Sequence, residues 1–327
     1  MNILLTGGAG YIGSHVLLNL VDNGHNIHVI DNLATGTENL IPSSVPRTIC
    51  SISDDKKISE ILTIKKFDLI MHFAAFIKVN ESVNFPEKYF KNNTEDSIKF
   101  FELCYKFNLK NIVFSSTASV YGDVKTNKLI DENNDLSPKN PYAMSKLKVE
   151  KYLQANNDKY NYIILRYFNV AGSDPLLRTG QVSKEATHLI KVLSEIVVGK
   201  RNKFEIYGND YDTKDGTAIR DYIHVSDLAD IHVQVAKLLL NTKESNVFNC
   251  GYGKGFSVLE VLNKFKEITK KQIDSEFKNR REGDVEKLIS NTKKIHDYIN
   301  WQPKHNNLEE IIKSSIQWEE KIYEKSF

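Results

Sequence analysis

The chain has 327 residues, of which 41% are apolar and 26% are charged, and its formal net charge is +2. This length predicts about two domains, and the near-neutral charge gives no indication of a nucleic-acid partner. No apolar run approaches the ~18 residues of a membrane span, and the first predicted strand follows Met1 too directly to leave room for a signal peptide.

The first predicted elements are a strand and a helix joined by a glycine turn. An apolar run over residues 2–5 enters the turn, and residues 11–21 leave it with helical periodicity. Three glycines in the turn recur at every third position: Gly7, Gly10 and Gly13. They let the chain bend sharply, let a pyrophosphate approach the backbone and let the helix pack close to the strand. The free N–H groups at the helix N-terminus then favour an anion.

The second predicted strand, residues 27–30, ends at Asp31, about 20 residues beyond the glycines. A carboxylate at this point can accept hydrogen bonds from an adenosine ribose, and it would repel a phosphate on that ribose, which favours NAD over NADP. Asn32 and Thr35, in the polar loop that follows, are placed to continue the adenosine site. The glycine spacing is G-x-x-G-x-x-G, and this variant resembles the extended short-chain dehydrogenase/reductase superfamily.

The strand over residues 68–72 leads into Phe73 and Ala74. Small residues after a strand let a cofactor lie across the strand end, as a doubly wound sheet requires. We interpret His72 as a packed core histidine rather than a catalyst. Residues 87–107 are predicted to form a long helix, which carries Asn92.

The fifth strand, residues 111–114, opens into a run of hydroxyl residues that includes Thr117. A helix beginning at Pro141 then carries Tyr142 and Lys146, whose spacing of four places both side chains on one face. A nearby ammonium and a positively charged nicotinamide both favour the phenolate of a tyrosine. Such a tyrosine can take a proton from a sugar hydroxyl while hydride leaves the same carbon. We assign Thr117 as the third member, a hydroxyl that bonds the substrate oxygen and the tyrosine.

The regular alternation of strands and helices is lost after residue 168, where long polar loops begin. We therefore predict an α/β protein with a doubly wound parallel-sheet Rossmann domain and a smaller mixed C-terminal substrate domain. The predicted NAD-binding domain comprises residues 1–168 and 221–251, since a helix (226–240) and a strand (247–251) regain the sheet pattern. The predicted substrate domain comprises residues 169–220 and 252–327, and it ends in an amphipathic helix over 308–324.

Eight segments together resemble the UDP-glucose 4-epimerase family: residues 6–13, 31–33, 72–74, 114–122, 142–146, 165–172, 208–225 (GNDYDTKDGTAIRDYIHV) and 280–284 (RREGD). The last two are far more specific than the glycine turn. The resemblance implies oxidation of the sugar at C4 by tightly held NAD, rotation of the keto sugar about its diphosphate, and return of hydride to the opposite face.

The resemblance also implies site residues. The predicted cofactor contacts are Gly7, Gly10, Tyr11, Ile12, Gly13, Asp31, Asn32, Thr35, Phe73, Ala74, Asn92, Lys146 and Phe168. Uridine diphosphate is expected to be held by Asn169, Arg220, Arg281 and Asp284, with Tyr207 near the uracil and His188 beside the diphosphate. Two arginines can fork onto phosphate oxygens, and a carboxylate can accept ribose hydroxyls. Leu288 is expected to lie against the sugar, where a residue smaller than tyrosine predicts activity on N-acetylated substrates as well.

Two other functions share parts of this pattern. A nucleotide-sugar 4,6-dehydratase has the same Tyr and Lys. Enzymes of that class typically carry the sequence Thr-Asp-Glu at the position where this chain has Thr117-Ala118-Ser119. A non-catalytic NAD-sensing regulator would be expected to lack the Tyr or the Lys. The resemblance further implies a homodimer formed through helices at 87–107 and 141–157. Three well-separated cysteines without metal-type spacing indicate free thiols and no metal site, so we expect a cytoplasmic protein. The net charge and the absence of a long apolar run further predict no nucleic-acid partner and no membrane.

Overall fold

The computed structural model describes residues 1–124, 128–183, 185–281 and 283–324. Its strands are β1 (Asn2–Thr6), β2 (Asn26–Asp31), β3 (Arg47–Ile49), β4 (Leu69–His72), β5 (Asn111–Thr117), β6 (Asn161–Tyr167), β7 (Asn169–Ala171), β8 (Phe204–Tyr207), β9 (Ile219–His224), β10 (Asn246–Cys250), β11 (Gly255–Ser257), β12 (Ser275–Lys278) and β13 (Lys287–Leu288). Its helices are α1 (Tyr11–Asp22), α2 (Asp55–Ile64), α3 (Val79–Asn84), α4 (Pro86–Tyr89), α5 (Asp96–Lys106), α6 (Pro141–Ala155), α7 (Leu189–Val197), α8 (Val225–Thr242), α9 (Val258–Thr269), α10 (Lys293–Tyr298) and α11 (Leu308–Glu324).

Seven of the described strands form one parallel sheet, in the order β10–β6–β5–β4–β1–β2–β3. In β1, Ile3, Leu4 and Leu5 are all fully buried, because helices cover both faces of the sheet. Ile3 and Leu5 pack into the core on one face, whereas Leu4 packs into the core on the other. The predicted doubly wound Rossmann sheet is therefore confirmed.

Different helices cover the two faces of this sheet. Val16 of α1 and Val235 of α8 belong to one core, while Ile58 of α2, Phe100 of α5 and Val149 of α6 belong to the other. The chain builds outward from β1 through β2 and β3, and then returns to the opposite side of β1 with β4. The crevice at the carboxyl ends of β1 and β4 is thus the topological switch point, where ligands bind in folds of this kind.

The helix that we predicted over residues 87–107 is interrupted in the structure. A separate helix, α3, comes first, and α4 then passes through a π-helical turn, residues 90–95, into α5. Asn93 lies in this turn, where its side chain bonds both backbone groups of Phe76 and donates to Ser145. The wider turn thus places Asn93 against the adjacent loop, where these hydrogen bonds satisfy its side chain.

The second part of the chain forms two small sheets. β9 pairs with β7 and β13 in parallel and with β11 in the antiparallel sense, and β8 pairs with β12. Leu193 of α7, Phe265 of α9 and Ile312 of α11 share one core beside these sheets. The predicted mixed C-terminal region is present. β9 runs across residues 220 and 221, where the predicted boundary between the domains lies. α8 and β10 return to the large sheet, as expected.

The three cysteines, Cys50, Cys104 and Cys250, are free and buried. Among the described helices, none combines the length and apolar character that a bilayer crossing demands.

Candidate active site

A cavity of about 650 Å³ lies between the carboxyl ends of the large sheet and the mixed sheet around β9. Its walls include all but one of the predicted site residues: Gly7, Gly10, Tyr11, Ile12, Gly13, Asp31, Asn32, Thr35, Phe73, Ala74, Asn92, Thr117, Tyr142, Lys146, Phe168, Asn169, His188, Arg220, Arg281, Asp284 and Leu288. The exception is Tyr207. Residues from more than ten separate segments thus converge on one space, which the sequence spacing alone could not establish.

The glycine turn brings the backbone closer together than side chains would allow. Gly7 has a φ of 74°, and a Cβ there would lie 2.6 Å from the backbone nitrogen of Ala74. A Cβ at Gly13 would overlap the carbonyl oxygen of Gly7. Gly10 caps α1 without a side chain, and the first turn of α1 contains no acidic residue. The exposed N–H groups and the helix dipole therefore suit a pyrophosphate at this point, which is the fit that NAD requires.

Asp31 sits at the carboxyl end of β2 and is held by two backbone groups. Its Oδ2 accepts from the N–H of Ala9 (2.9 Å), and its Oδ1 accepts from the N–H of Leu33 (2.8 Å). Burial raises the pKa of Asp31, while these two hydrogen bonds lower it. Each carboxylate oxygen has two lone pairs, so the side chain is oriented by the protein and can still accept from a ribose diol.

Tyr142 and Lys146 are positioned by the start of α6. Asn140 caps the helix by accepting from the N–H of Ala143 (2.9 Å), and Pro141 occupies the first helical position. Tyr142 therefore lies in the first turn, where the helix dipole favours a phenolate. Burial raises the pKa of Tyr142 to about 12, and its hydrogen bond with Thr117 acts in the opposite direction.

Lys146 lies one turn further along the same face. Its Nζ donates to the carbonyl oxygen of Ser115 at 2.8 Å, near the carboxyl end of β5. Burial lowers the pKa of Lys146 to about 7, and the charge of Glu150 raises it. Thr117, Tyr142 and Lys146 thus form one buried constellation with a phenol, a hydroxyl and an amine in contact with a single cavity.

Two arginines and an aspartate form the opposite wall. The Nη2 of Arg220 donates to Asp284 (2.5 Å) and to the carbonyl of Val285 (2.6 Å). The guanidinium of Arg281 stacks on the ring of Tyr207 at 3.8 Å, and its buried Nε has no acceptor among the described residues. Fixed guanidinium groups with an unused donor suit an anion such as a diphosphate. Residue 282 of the RREGD segment lies outside the described residues.

Tyr207 supports the wall from behind rather than lining it. Its ring lies against Arg281, and its hydroxyl donates to Glu205. His188 does reach the cavity, and its Nδ1 lies 3.0 Å from Nε2 of Gln181. Desolvation lowers the pKa of His188, although its side chain stays exposed at the cavity.

Two further features of this region bear on the sequence predictions. His72 is packed in the core, as expected, with its ring nitrogens at Thr6 (2.9 Å) and Ser97 (3.0 Å). Lys78 and Glu185 form a 3.0 Å ion pair between two cavity-lining loops, a contact that the sequence did not predict. Its partners lie about a hundred residues apart in polar loops, which carry no signal for pairing.

The chain was compared with known proteins. The model of the family described as "NAD dependent epimerase/dehydratase family" matches residues 3–251. The UDP-glucose 4-epimerase of Azospirillum brasilense is 43% identical over 322 residues, covering 98% of this chain and 92% of the relative.

Two solved structures are also similar. The UDP-Glc/GlcNAc 4-epimerase of Campylobacter jejuni is 43% identical with a TM-score of 0.84, over 98% of this chain and 99% of that chain. The UDP-glucose 4-epimerase of Bifidobacterium longum, in complex with NAD+ and UDP, is 32% identical with a TM-score of 0.93, over 98% of both chains.

Proposed function

The chain belongs to the NAD dependent epimerase/dehydratase family, and from this membership we infer that it is a UDP-glucose 4-epimerase. It is an NAD-dependent isomerase that interconverts UDP-glucose and UDP-galactose. The observation that carries this assignment is the convergence of Tyr142, Lys146 and Thr117 with the arginine wall on one cavity. A 4,6-dehydratase needs an acid and a base beside Thr117, where this chain has Ala118 and Ser119. A regulator without turnover would not need the buried tyrosine and lysine.

We propose the following roles for the side chains. NAD held at the glycine turn would supply a reversible hydride acceptor for C4 of the sugar. Tyr142 takes the proton of the sugar 4-hydroxyl and later returns it, and the ammonium of Lys146 stabilises the phenolate that makes this possible. Thr117 bonds Tyr142 and orients the substrate oxygen. Because Tyr142 and the cofactor site are fixed in the protein, the keto sugar must rotate to present its opposite face while its nucleotide stays anchored.

The anchor that we propose is the wall formed by Asn169, Arg220, Arg281 and Asp284, with His188 beside the diphosphate. The unused Nε donor of Arg281 supports this assignment, since a buried donor without an acceptor is costly unless a ligand supplies one. Tyr207 then acts on the nucleotide through Arg281. The cofactor residues that we propose are those predicted from the sequence, and the free N–H groups of the glycine turn support them.

We further propose that the enzyme epimerises UDP-GlcNAc and UDP-GalNAc. Leu288 lines the cavity and packs against Val120, Leu147 and Phe168. A leucine held in this way leaves space beside the sugar that a tyrosine ring would fill. The 43% identity with the enzyme named for both UDP-Glc and UDP-GlcNAc is in agreement.

The assembly and the domains are also proposals. We propose a homodimer formed by α4, α5 and α6, on which Tyr105 and Met144 leave apolar surface exposed. Light scattering coupled to size exclusion should give twice the mass of one chain, and a monomer at micromolar concentration would contradict this. We keep the predicted division into a Rossmann domain and a substrate domain, and the free thiols favour the cytoplasm.

The function is tested on the purified protein without added cofactor. It should convert UDP-galactose to UDP-glucose, and a denatured sample should release NAD into the supernatant. Mass spectrometry of separate incubations with UDP-galactose and UDP-GalNAc identifies the products. Release of NADP alone, or loss of water from the sugar, would contradict the assignment.

A further inference from the structure

A buried ion pair lies directly beneath the catalytic constellation and has no part in the roles assigned above. Glu150 of α6 is fully buried, and Arg166 of β6 is 2% exposed. The Nη2 of Arg166 donates to Glu150 Oε2 at 2.6 Å, and its Nε lies 3.2 Å from both carboxylate oxygens. The Nη1 of Arg166 donates to the hydroxyl of Tyr121 (2.9 Å), which donates to Asn249 (2.7 Å). The pair is therefore almost completely enclosed.

This ion pair is connected to the carboxyl end of β5. The hydroxyl of Ser116 donates to Glu150 Oε1, and Ser116 lies opposite Arg166 in the register of the sheet. The residues on either side of Ser116 are the ones that the reaction uses: Ser115 accepts from Lys146, and Thr117 lines the cavity with Tyr142 and lowers its pKa. Glu150 thus holds Ser116 in place. The two neighbours of Ser116 in the chain are the residues that orient Lys146 and Tyr142.

The pair is also connected to Lys146 along the helix. Glu150 follows Lys146 by four residues and Tyr142 by eight, so it lies roughly 6 Å from the lysine and roughly 12 Å from the tyrosine along the axis. Its charge therefore acts mainly on the lysine. We propose that Glu150 is a positioning residue for the epimerisation: it fixes the carboxyl end of β5 through Ser116, and it keeps the buried Lys146 in its ammonium form.

The other groups that face Lys146 do not supply this charge. His72 on β4 is neutral, because burial lowers its pKa to about 3. Tyr142 on α6 and Tyr167 on β6 are phenols whose pKa values are raised by burial. Arg166 on β6 is positive and pairs with the carboxylate of Glu150, so its own charge cannot favour the ammonium form of Lys146. Among the described residues, Glu150 supplies the charge that raises the pKa of Lys146 against the burial that lowers it.

The experiment is the pH dependence of kcat for the NAD-loaded enzyme. In Glu150→Gln, loss of the carboxylate lowers the pKa of Lys146, so the alkaline fall of activity should move to lower pH by roughly half a unit or more. A purely structural loss would lower kcat at every pH and leave the position of this fall unchanged. Glu319→Gln is the matched control, since Glu319 is 1% exposed and pairs with Lys191 and Lys200 on other elements. It should leave the alkaline fall in place.

Glu150→Gln leaves Arg166 buried without its partner and can fail to fold. The double variant Glu150→Gln with Arg166→Met removes both charges, and such replacements are often tolerated. It should retain NAD and still show the shift, smaller than in the single variant because the repelling guanidinium is gone as well. A double variant with the wild-type pH profile, or an equal shift in Glu319→Gln, would overturn the proposal.

The inference rests on the proposed roles of Tyr142 and Lys146, and the two can fail separately. If the wild-type enzyme is inactive, or if Tyr142→Phe keeps full activity, the proposed function is wrong. If the wild type is active and Tyr142→Phe is not, but the variants of Glu150 show no shift, only the role of Glu150 is wrong.

Discussion

At the residue scale, the test of the proton-transfer assignment is Tyr142→Phe. The phenyl ring fills the same space, so the cavity and the nucleotide wall should be preserved, while the base is lost. Loss of a general base costs about 10²- to 10⁴-fold in rate, and we expect kcat to fall by this factor. Tyr152→Phe is the control, because Tyr152 lies on the same helix but bonds Glu102 and Tyr160 on the outside. Equal losses in the two variants would show that the helix, and not the phenol, is responsible.

The second residue-scale prediction concerns Leu288, which is 7% exposed at the cavity wall. Leu288→Tyr should reduce turnover of UDP-GalNAc at least about tenfold, the effect of ~1.4 kcal/mol, while sparing UDP-galactose. Leu288→Met changes shape but hardly volume and should leave the ratio of the two activities nearly unchanged. Competition between the two substrates in one tube measures this ratio. If the tyrosine depresses both activities equally, Leu288 does not select the sugar.

Single residues were predictable from sequence where a local pattern carries them. The spacing of Tyr142 and Lys146 fixes their shared face, and the glycine turn followed by Asp31 fixes the two ends of a dinucleotide site. Tyr207 was expected near the uracil and stays a prediction, but its stacking on Arg281 was not predictable. The ring stacks on a residue more than seventy positions away, a distance over which local pattern holds no information.

At the element scale, the glycine turn gives a prediction with an internal control. Gly13→Ala would drive a Cβ into the carbonyl oxygen of Gly7, so the turn and the start of α1 must move apart. We expect Gly13→Ala to lose at least ~1.4 kcal/mol of binding free energy for NAD, which is a tenfold loss of affinity. The purified variant should then retain less than about a tenth of the NAD of the wild type. Gly10→Ala meets that same oxygen at 3.3 Å, with an ordinary φ of −84°, so its turn should stay intact and it should lose less of its cofactor than Gly13→Ala. The NAD content of denatured samples decides between them.

The long, strongly patterned elements were predictable, whereas the short ones were not. The amphipathic helix predicted from residue 308 begins there as α11 and continues to Glu324, the last described residue, since its apolar face recurs over this length. β7, β11 and β13 have two or three residues each, too few to show a period. The π-turn at residues 90–95 depends on hydrogen bonds from Asn93 to a distant loop, so no helical pattern reveals it.

At the scale of the whole molecule, five buried histidines predict how stability depends on pH. Burial lowers the pKa of His72 and His224 to about 3, and that of His15, His28 and His232 to about 4. Each is neutral when folded but takes up a proton near pH 6.5 when unfolded. The stabilisation is therefore present above about pH 6.5 and is lost as the pH falls from there, down to about 4 for His15, His28 and His232 and to about 3 for His72 and His224.

Urea unfolding at pH 7.5, 6.5 and 5.5 should show the free energy of unfolding falling most steeply between the last two values. Each histidine contributes at most about 1.4 kcal/mol per pH unit to this slope. His232→Gln removes one of the side chains that take up a proton on unfolding, so it should flatten the dependence of the free energy of unfolding on pH. It also costs stability at neutral pH, because His232 bonds Tyr167. If the free energy of unfolding stays constant as the pH is lowered from 6.5 to 5.5, these rings are already protonated in the folded state.

The position of β10 has a consequence for synthesis of the chain. β6 emerges from the ribosome as residues 161–167, but its outer neighbour β10 is made only at residues 246–250. At 5–20 residues per second, the nascent chain spends roughly 4 to 16 seconds with the backbone groups of β6 unpaired on that side. An apolar strand edge exposed for so long is a site for association with other chains. We therefore expect that slowing translation between β6 and β10 increases aggregation, whereas slowing it after β10 does not.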